Sequence, residues 1–312
     1  MASTAPVQDV RHTRRVLSDR GAGVDPFRPL EAECQVVQFS QPLAPSELAK
    51  AGELLAGRPD VQLYVYGRAS QDLDFLQHFP RLKRLQVALY ELENIEGLAH
   101  VAETLEEFTF GQTRKKYSLQ FLKSLRQLRR LFLAGHKKDI DAIGSATAVT
   151  RLGLSMITLA DLSPILPLRQ LTELSILLGG TRDLDLLSRF EKLEALMLMR
   201  ITKLADLSAL AELRALKKLH LDWMRNVADL PSFAPLASLG RVKLDTMKGL
   251  SNLSPIAAAP MLHELSITNM PQLTTESFRC LLDHPRLAKL WAYTGRSKVN
   301  QQVKRIFPGI AQ

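Results

Sequence analysis

The sequence predicts an α/β repeat solenoid, in which short strand and helix units stack side by side and share one parallel sheet. Eleven pairs of apolar residues, the two members separated by one residue, recur every 21 to 25 residues between Leu63 and Ala292. An apolar residue precedes most pairs by three positions, as in LEALML (193–198) and LKKLHL (216–221). The composition is 46% hydrophobic but only 6% aromatic, which suits a stack of small units better than one large core.

Each unit is predicted to be a strand followed by a helical return. The residues around a pair alternate, and a period of two turns one side of a strand inward. Leucines that follow the strand at steps of three or four predict a short helix or a 3₁₀ turn. One such unit cannot bury its apolar side alone, so we expect the units to stack into a continuous core with a parallel sheet along one face.

The repeated L-x-x-L-x-L resembles the leucine-rich repeat family, and the spacing of 22 or 23 residues between most units is similar to the internalin-type repeats of bacteria. The resemblance covers about eleven units over residues 59–293. It implies a horseshoe or arc with the parallel sheet on the concave face and short helices or 3₁₀ turns on the convex side. It also implies protein binding, since repeats of this family chiefly bind proteins.

The chain departs from the family pattern at one position. Leucine-rich repeats commonly carry Asn or Cys three residues after the second strand leucine, where the side chain satisfies the backbone of the turn. Here that position holds Arg68, Tyr90, Thr113, His136, Ile157, Gly179, Ile201, Met224, Met247 and Met270. Because buried backbone groups still need partners, we expect backbone or water bonding in these turns and a hydrophobic row of Ile and Met.

The two ends of the repeat region are predicted to be caps. Residues 1–30 are polar, Arg-rich and aperiodic, which indicates a flexible leader, with a secretion signal as the open alternative. Residues 31–58 form the predicted N-terminal cap, with a strand over 34–40 and a helix over 45–57 that stops at Gly57. A further helix is predicted over 274–284. Residues 294–312 form the C-terminal cap, whose helix over 297–307 closes the stack.

A recurring Asp/Asn-Leu-Ser-Pro motif, as at 161–164 and 252–255, admits two interpretations. Its carboxylates are compatible with metal binding or acid–base chemistry. Alternatively, Ser and Pro start a helix, with Ser as the cap and Pro as the first helical residue. We favour the structural interpretation.

The sequence predicts no enzyme, no cofactor and no metal site. The seven histidines form neither H-E-x-x-H nor a Cys/His pair at metal spacing, and the glycine motifs of phosphate-binding loops and nucleophile elbows are absent. His220 with Asp222 is the one acid–base pair to check. Two distant cysteines, Cys34 and Cys280, favour a reducing cytoplasm, with translocation as an effector as the alternative. No stretch of about 18 apolar residues predicts a membrane span.

Side chains around the paired leucines are expected on the concave face. We name the position between the two leucines the middle row, the position after them the following row and the position before them the outer row. Large or charged side chains of the middle and following rows are candidate contacts for a partner protein. They are Tyr64, Tyr66, Phe132, Leu177, Met197, Met199, His220, Asp222, Lys243, Asp245, Trp291 and Tyr293, with Tyr90 nearby. For Trp291 and Tyr293, packing on the C-terminal cap is an open alternative.

The net charge of +9 equals the charge of one acid-free segment, residues 111–138. The repeat spacing brings four of its cations together as a basic edge, with a fifth beside them: Arg114, Lys115, Lys137 and Lys138, then Lys116. A solvated surface, steering of an acidic partner, and nucleic-acid or acidic-polymer binding with Tyr117 and Phe132 as stacking groups are the alternatives.

The charge pattern of the outer row favours a protein partner over a nucleic acid. Cations and anions alternate there, whereas a phosphate backbone is best tracked by a continuous basic groove. We therefore predict a non-enzymatic, protein-binding scaffold of bacterial type, such as an effector or a toxin-immunity protein. Its partner is predicted to be another protein with an acidic surface, not a membrane, and the sequence predicts no oligomeric state.

Overall fold

The structure, a computed structural model, describes residues 14–18, 25–181 and 183–312. The chain divides into two compact units, residues 1–148 and residues 149–312. The predicted repeat region over 59–293 contributes to both. In both units, parallel strands alternate with short helical returns.

In its described part, the first unit is a parallel sheet of six strands, each hydrogen-bonded to the next one in the chain. These strands are β1 (Arg14–Val16), β2 (Val36–Phe39), β3 (Gln62–Gly67), β4 (Arg84–Leu89), β5 (Glu107–Phe110) and β6 (Arg130–Ala134). Helix α1 (Pro45–Ala56) follows β2. The later strands are followed by 3₁₀ helices at Asp74–His78, Glu96–Val101, Leu119–Ser124 and Ile140–Ser145.

The second unit repeats this arrangement with seven described strands, again parallel and paired in chain order. They are β7 (Arg151–Ser155), β8 (Glu173–Leu177), β9 (Ala195–Met199), β10 (Lys218–Asp222), β11 (Arg241–Asp245), β12 (Glu264–Thr268) and β13 (Lys289–Tyr293). The described returns are 3₁₀ helices at Ser163–Ile165, Asp185–Arg189, Ser208–Glu212 and Glu276–Leu281, together with helix α2 (Ser254–Ala257). Helix α3 (Ser297–Ile306) follows the last strand.

The core of each unit is built from the apolar pairs that the sequence predicted. All eleven pairs lie in strands β3 to β13, and every member is at most 2% exposed. Burying a leucine side chain contributes about 1.5–3 kcal/mol, so this double row stabilises each unit together with the buried leucines of the returns. The predicted inward orientation of the pairs is confirmed.

Apart from half-buried Gly179, the row that replaces the family's asparagine is buried in the second unit. Ile157, Ile201, Met224, Met247 and Met270 are each no more than 1% exposed. The turn that follows is closed by the backbone: the carbonyl oxygens of the last four accept from N–H groups three residues on, at 3.1–3.3 Å. An apolar side chain therefore fills the position, because main-chain bonds already satisfy the turn.

The Asp/Asn-Leu-Ser-Pro motif does start a return, but its capping group differs from the predicted one. Asp161, Asp206 and Asn252 each accept a hydrogen bond from the N–H two residues on, at 2.8–2.9 Å. Ser163 and Ser254 are the first residues of their helices, and Leu162 and Leu253 occupy the N-cap positions. The predicted serine cap is thus wrong. The side-chain oxygen of the Asp or Asn residue, two positions before the serine, accepts the hydrogen bond from the serine N–H instead.

The ends of the chain show two departures from the predicted elements. Strand β1 lies inside the segment predicted to be a flexible leader, and pairs with β2. Buried Arg15 fixes it through the carbonyl oxygens of Pro26 and Arg28, at 3.1 and 3.2 Å. The rest of that predicted leader, apart from 17–18 and 25–30, lies outside the described residues. The helix expected over 274–284 is a 3₁₀ helix at Glu276–Leu281.

Both predicted cap helices are present. Helix α1 ends at Gly57 and stacks closely on the first 3₁₀ helix, where a Cβ at Gly52 would lie 2.0 Å from the His78 carbonyl oxygen. Helix α3 buries Val299 and Val303. Beyond α3 the chain returns to β13, where Leu290 N–H donates to the Ile310 carbonyl and Gln312 N–H donates to the Leu290 carbonyl, both at 2.8 Å. These bonds satisfy part of the outer edge of the last strand.

Candidate functional site

The alternation of each strand presents the middle and following rows on the side of the sheet opposite the core. We call this side the strand face. In the first unit it carries half-buried Tyr64, Tyr66 and Phe132. In the second unit it carries half-buried Leu177, Met197, Met199, His220, Asp222, Asp245 and Trp291, together with exposed Lys243 and Tyr293. These candidate residues thus fall into two groups, one on each unit.

On the first unit, the strand face brings together two tyrosines and leaves out the third. The rings of Tyr64 and Tyr66 stack at 4.9 Å with 24° between their planes. Burial raises the pKa of Tyr64. Tyr90, which was expected beside them, follows the end of β4, is 45% exposed and makes no ring contact among the described residues. The predicted cluster of three tyrosines is therefore a pair.

On the second unit, the strand face contains a depression of about 500 Å³. Met197, His220, Lys243, Ser266 and Trp291 occupy equivalent positions on five consecutive strands, β9 to β13. All five line the depression. The small side chain of Ser266 leaves space between the larger side chains of Lys243 and Trp291, so the middle row lines a depression at this point.

The C-terminal aromatic pair stays accessible. The rings of Trp291 and Tyr293 stack at 6.4 Å with 27° between their planes, and Tyr293 is 50% exposed. Trp291 is half buried because it forms one end of the depression. The alternative in which both rings are covered by the C-terminal cap does not hold for Tyr293.

Ion pairs between neighbouring strands occupy every glutamate of the outer row. Glu107 contacts Arg84 at 3.3 Å and Arg130 at 3.0 Å. Glu173 contacts Arg151 at 3.1 Å, and Glu264 contacts Arg241 at 3.5 Å. Such exposed pairs contribute only about 0–1 kcal/mol each to stability. They do, however, determine which cations of the strand face have no ion-pair partner.

The cations left without an ion pair on the strand face cluster in the second unit. Lys218, Lys243 and Lys289 form no ion pair with any described residue. Lys218 and Lys243 line the depression, and Lys289 lies on the same strand as Trp291. The depression therefore combines apolar walls with the unpaired cations Lys218 and Lys243, while its two glutamates, Glu173 and Glu264, are held in ion pairs.

His220 lies at the centre of the depression as a neutral group. Burial, and secondarily the charge of Lys243, lower the pKa of His220 to about 4, against a smaller opposing effect of Asp245. Its Nε2 is buried and has no hydrogen-bond partner among the described residues. Burial and the neighbouring Asp245 raise the pKa of Asp222. No described hydrogen bond joins His220 to Asp222.

The basic edge in the first unit is less positive than its sequence suggests. Arg114 forms an ion pair with Glu91 at 2.8 Å, and Lys115 donates to the Glu93 carbonyl oxygen at 3.2 Å. Lys116 donates to the Thr113 carbonyl at 2.9 Å. Lys137 and Lys138 are exposed. The segment 111–138 contains no acid, but Glu91 of the preceding repeat pairs with Arg114.

One of the two stacking groups proposed for nucleic acid is not available. Tyr117 is 7% exposed, and its hydroxyl donates to the Leu92 carbonyl at 2.6 Å. Lys115 lies over its ring at 5.2 Å. Phe132 is half buried on the strand face. A base cannot stack on a ring that already packs inside the repeat.

Sequence reasoning missed three exposed apolar residues that lie just beyond the following row. Met156 is 41% exposed, Leu178 40% and Trp223 37%. All three have positive φ, which large residues seldom adopt. The signal in the sequence was available but weak: the equivalent positions hold Gly67, Gly135 and Asn269, the residue types that tolerate this conformation.

Solved structures provide the comparison for this architecture. One match is an internalin from Listeria monocytogenes, with 18% identity and a TM-score of 0.56 over 84% of this chain and 74% of that chain. A second is a leucine-rich repeat protein from Leptospira interrogans, with 16% identity and a TM-score of 0.58 over 90% of this chain and 84% of that one. The fold is that of the leucine-rich repeat proteins. Strands β3 to β13 thus supply one strand to each of the eleven leucine-rich repeats that the sequence predicted.

The leucine-rich repeats of this chain match neither a protein-family model nor a curated protein sequence. Among the described residues, no group of three or more His, Cys, Asp or Glu side chains is placed to hold a metal ion. None of the described helices is both long and apolar enough to cross a membrane.

Proposed function

We propose that the protein is a non-enzymatic scaffold whose strand face on the second unit binds another protein with an acidic surface. One observation carries this proposal: Met197, His220 and Trp291 line a depression whose cations Lys218 and Lys243 have no ion-pair partner among the described residues. Half-buried aromatic and methionine side chains in a cavity are typical of binding hot spots. The two lysines provide the complement for a carboxylate.

The rigidity of the site supports a binding role. The lining residues stand on neighbouring strands whose backbones are fixed by the sheet, so little conformational entropy is lost when a partner is bound. Tyr64 and Tyr66 on the first unit are a further candidate contact, since stacked tyrosines offer a large apolar area at low entropic cost. They form a separate candidate contact that lies on the first unit alone.

Two cellular roles fit this proposal. A repeat scaffold that recognises an acidic protein surface suits a translocated effector or an immunity protein that neutralises a toxin. The free thiols of Cys34 and Cys280 are consistent with the reducing cytoplasm proposed as its compartment.

The test is partner capture by matched variants. Met197→Ala with Trp291→Ala should weaken binding of the captured partner at least tenfold, about 1.4 kcal/mol. Met261, which is 38% exposed in the loop before β12, provides the control, and Met261→Ala should bind as the unmodified protein does. Tyr64→Ala with Tyr66→Ala tests the contribution of the first unit separately.

The measurement is a dissociation constant for the partner captured from the native host and then purified. Circular dichroism must confirm that every variant is folded. If the Met197 and Trp291 variant retains full affinity while folded, the strand face of the second unit is not the binding surface.

A further inference from the structure

Six residues in the left-handed backbone conformation follow strands β7 to β12, one after each strand. They are Met156, Leu178, Arg200, Trp223, Thr246 and Asn269, with φ between 51° and 57°. The N–H of each donates to the carbonyl of the last residue of the next strand, at 2.9–3.0 Å. These main-chain hydrogen bonds hold the backbone of all six residues in the same conformation, although their side chains differ.

The conformation makes the side chains of this row unusual. Left-handed backbone costs an ordinary residue free energy, which Gly and Asn largely avoid. In the first unit, the equivalent positions with positive φ are Gly67 and Gly135. In the second unit, the same role falls to a methionine, a leucine and a tryptophan, all between 37% and 41% exposed. The backbone therefore does not account for the choice of large apolar residues.

The apolar residues of the row form a strip together with arginine. Met156, Leu178, Arg200 and Trp223 follow four consecutive strands, so the strip is roughly 14 Å long at the usual strand spacing. The guanidinium of Arg200 lies 4.7 Å from the Trp223 ring centroid, and that of Arg225 lies 5.4 Å from it. We call these five residues the ridge. Scattered exposed apolar residues need no explanation, whereas a contiguous strip marks an interaction site.

The charge around the ridge is positive. Neither Arg200 nor Arg225 forms an ion pair with a described residue, although the charge of Arg200 opposes part of the rise in the pKa of Asp222. A groove of about 780 Å³ runs beside Met156, Leu178 and Arg200. Lys203 also lines it, and no described Asp or Glu does. The groove beside the ridge thus offers apolar area and cations without a described acid, and Asp222 is the acidic group near Arg200.

We propose that the ridge is a second docking surface, separate from the strand face, for a segment of another protein that combines acidic and large apolar side chains. Carboxylates would pair with the planar guanidinium groups of Arg200 and Arg225. Apolar side chains would cover Met156, Leu178 and the free surface of Trp223 and exclude water from these pairs. A nucleic acid fits less well, because Met156 and Leu178 offer nothing to phosphates and three cations do not make a continuous track.

The left-handed backbone supplies a variant that removes the ridge without straining the fold. Met156→Asn, Leu178→Asn and Trp223→Asn replace the apolar side chains with the residue that already occupies position 269 of the row. Asn tolerates this conformation, so the triple variant should fold. A second variant, Arg200→Ser with Arg225→Ser, removes only exposed cations and keeps the apolar residues.

The experiment starts from a random dodecapeptide library displayed on phage. It is selected on the unmodified protein and depleted on the triple Asn variant. We expect the enriched peptides to combine Asp or Glu with Leu, Phe or Trp. A synthetic peptide from this set should bind the Arg200 and Arg225 variant at least tenfold more weakly, and should bind the strand-face variant Met197→Ala with Trp291→Ala unchanged.

The two tryptophans of the chain report the two surfaces separately. With Trp291→Phe, the fluorescence of Trp223 should change as the peptide is added. With Trp223→Phe, the fluorescence of Trp291 should stay constant. The proposal is overturned by no enrichment that depends on the ridge, by enriched peptides without acidic residues, by a response of Trp291 alone, or by a single-stranded oligonucleotide that displaces the peptide from Trp223. A failure of the strand face leaves these readouts untouched.

Discussion

His136 and His220 are two histidines whose pKa is lowered, one inside the first unit and one in the depression of the second. His136 is fully buried in the first unit and stacks on Phe110, with ring centroids 4.0 Å apart. Its Nε2 lies 3.0 Å from the Gly111 carbonyl oxygen, so this nitrogen carries the proton. His220 is half buried in the depression of the second unit. Burial is the main cause of the lowered pKa of both.

The lowered pKa of His220 predicts that acid destabilises the second unit. Unfolded histidine takes up a proton below about pH 6.5, whereas folded His220 does so only near its pKa of about 4. Stability is therefore fully present above about pH 6.5 and falls as the pH approaches about 4. The raised pKa of Asp222 acts in the opposite direction, because its folded carboxyl takes up a proton earlier than the unfolded one.

Urea unfolding between about pH 8 and about pH 4 measures this dependence, with tryptophan fluorescence as the probe. Trp223 and Trp291 both belong to the second unit. His220→Gln should flatten the decline below about pH 6.5, whereas the exposed control His263→Gln should keep it. An equally steep decline in the His220 variant would contradict the assignment.

The element that repeats most regularly is the turn into each return. Asx side chains close it at Asp161, Asp206 and Asn252, each by accepting from the second N–H ahead. Asp229 occupies the corresponding place in its own repeat, but Pro231 stands two residues on and has no N–H to donate. The same motif therefore has a capping function in three repeats and lacks this bond in the fourth.

This difference predicts unequal costs for alanine. Asn252→Ala should lower the free energy of unfolding by about 1 kcal/mol, because the N–H of Ser254 loses its partner at the start of α2. Asp229→Ala should leave stability nearly unchanged. Chemical denaturation of the two variants side by side provides the measurement. Equal losses in both would show that the Asx bond is not the cause.

At the scale of the whole chain, the net charge of +9 does not say which cations are neutralised. The ion pairs between strands do. Glu91 neutralises Arg114 in the first unit. In the second unit, Lys218, Lys243 and Lys289 form no ion pair with a described residue, although the charge of Lys243 acts on Asp222. Electrostatic steering follows the field of unpaired charges. Lys115, Lys137 and Lys138 of the basic edge also form no ion pair with a described residue, but Lys218 and Lys243 line the depression and should therefore steer an acidic partner onto it.

Charge reversal on the two surfaces compares them directly. Lys218→Glu, Lys243→Glu and Lys289→Glu together should slow association with polyglutamate about tenfold at low salt. Reversal of the basic edge at Arg114, Lys115, Lys137 and Lys138 should slow it less. Stopped-flow association at increasing salt provides the measurement, and both effects should shrink as salt screens them. A larger effect from the basic edge would restore it as the steering surface.

The repeat architecture could be predicted because its signal is local. The pair Leu196 and Leu198 has the same spacing and the same preceding leucine as Leu219 and Leu221, and period-two alternation fixes which side each residue faces. The rows of the strand face, including Met197 and His220, follow from that alternation directly. The caps α1 and α3 were likewise readable from apolar residues at helical spacing.

The remaining features depend on contacts between residues about one repeat apart. Glu91 and Arg114 are far apart in the sequence but adjacent once the strands pair. Stacking also buries Tyr117 against Leu92 and places Arg200 over Trp223. The left-handed φ of Leu178 arises because its N–H bonds to the next strand. Local pattern thus specifies the repeat and its faces, whereas charge pairing, aromatic exposure and the ridge arise from lateral contacts that exist only after the strands have stacked.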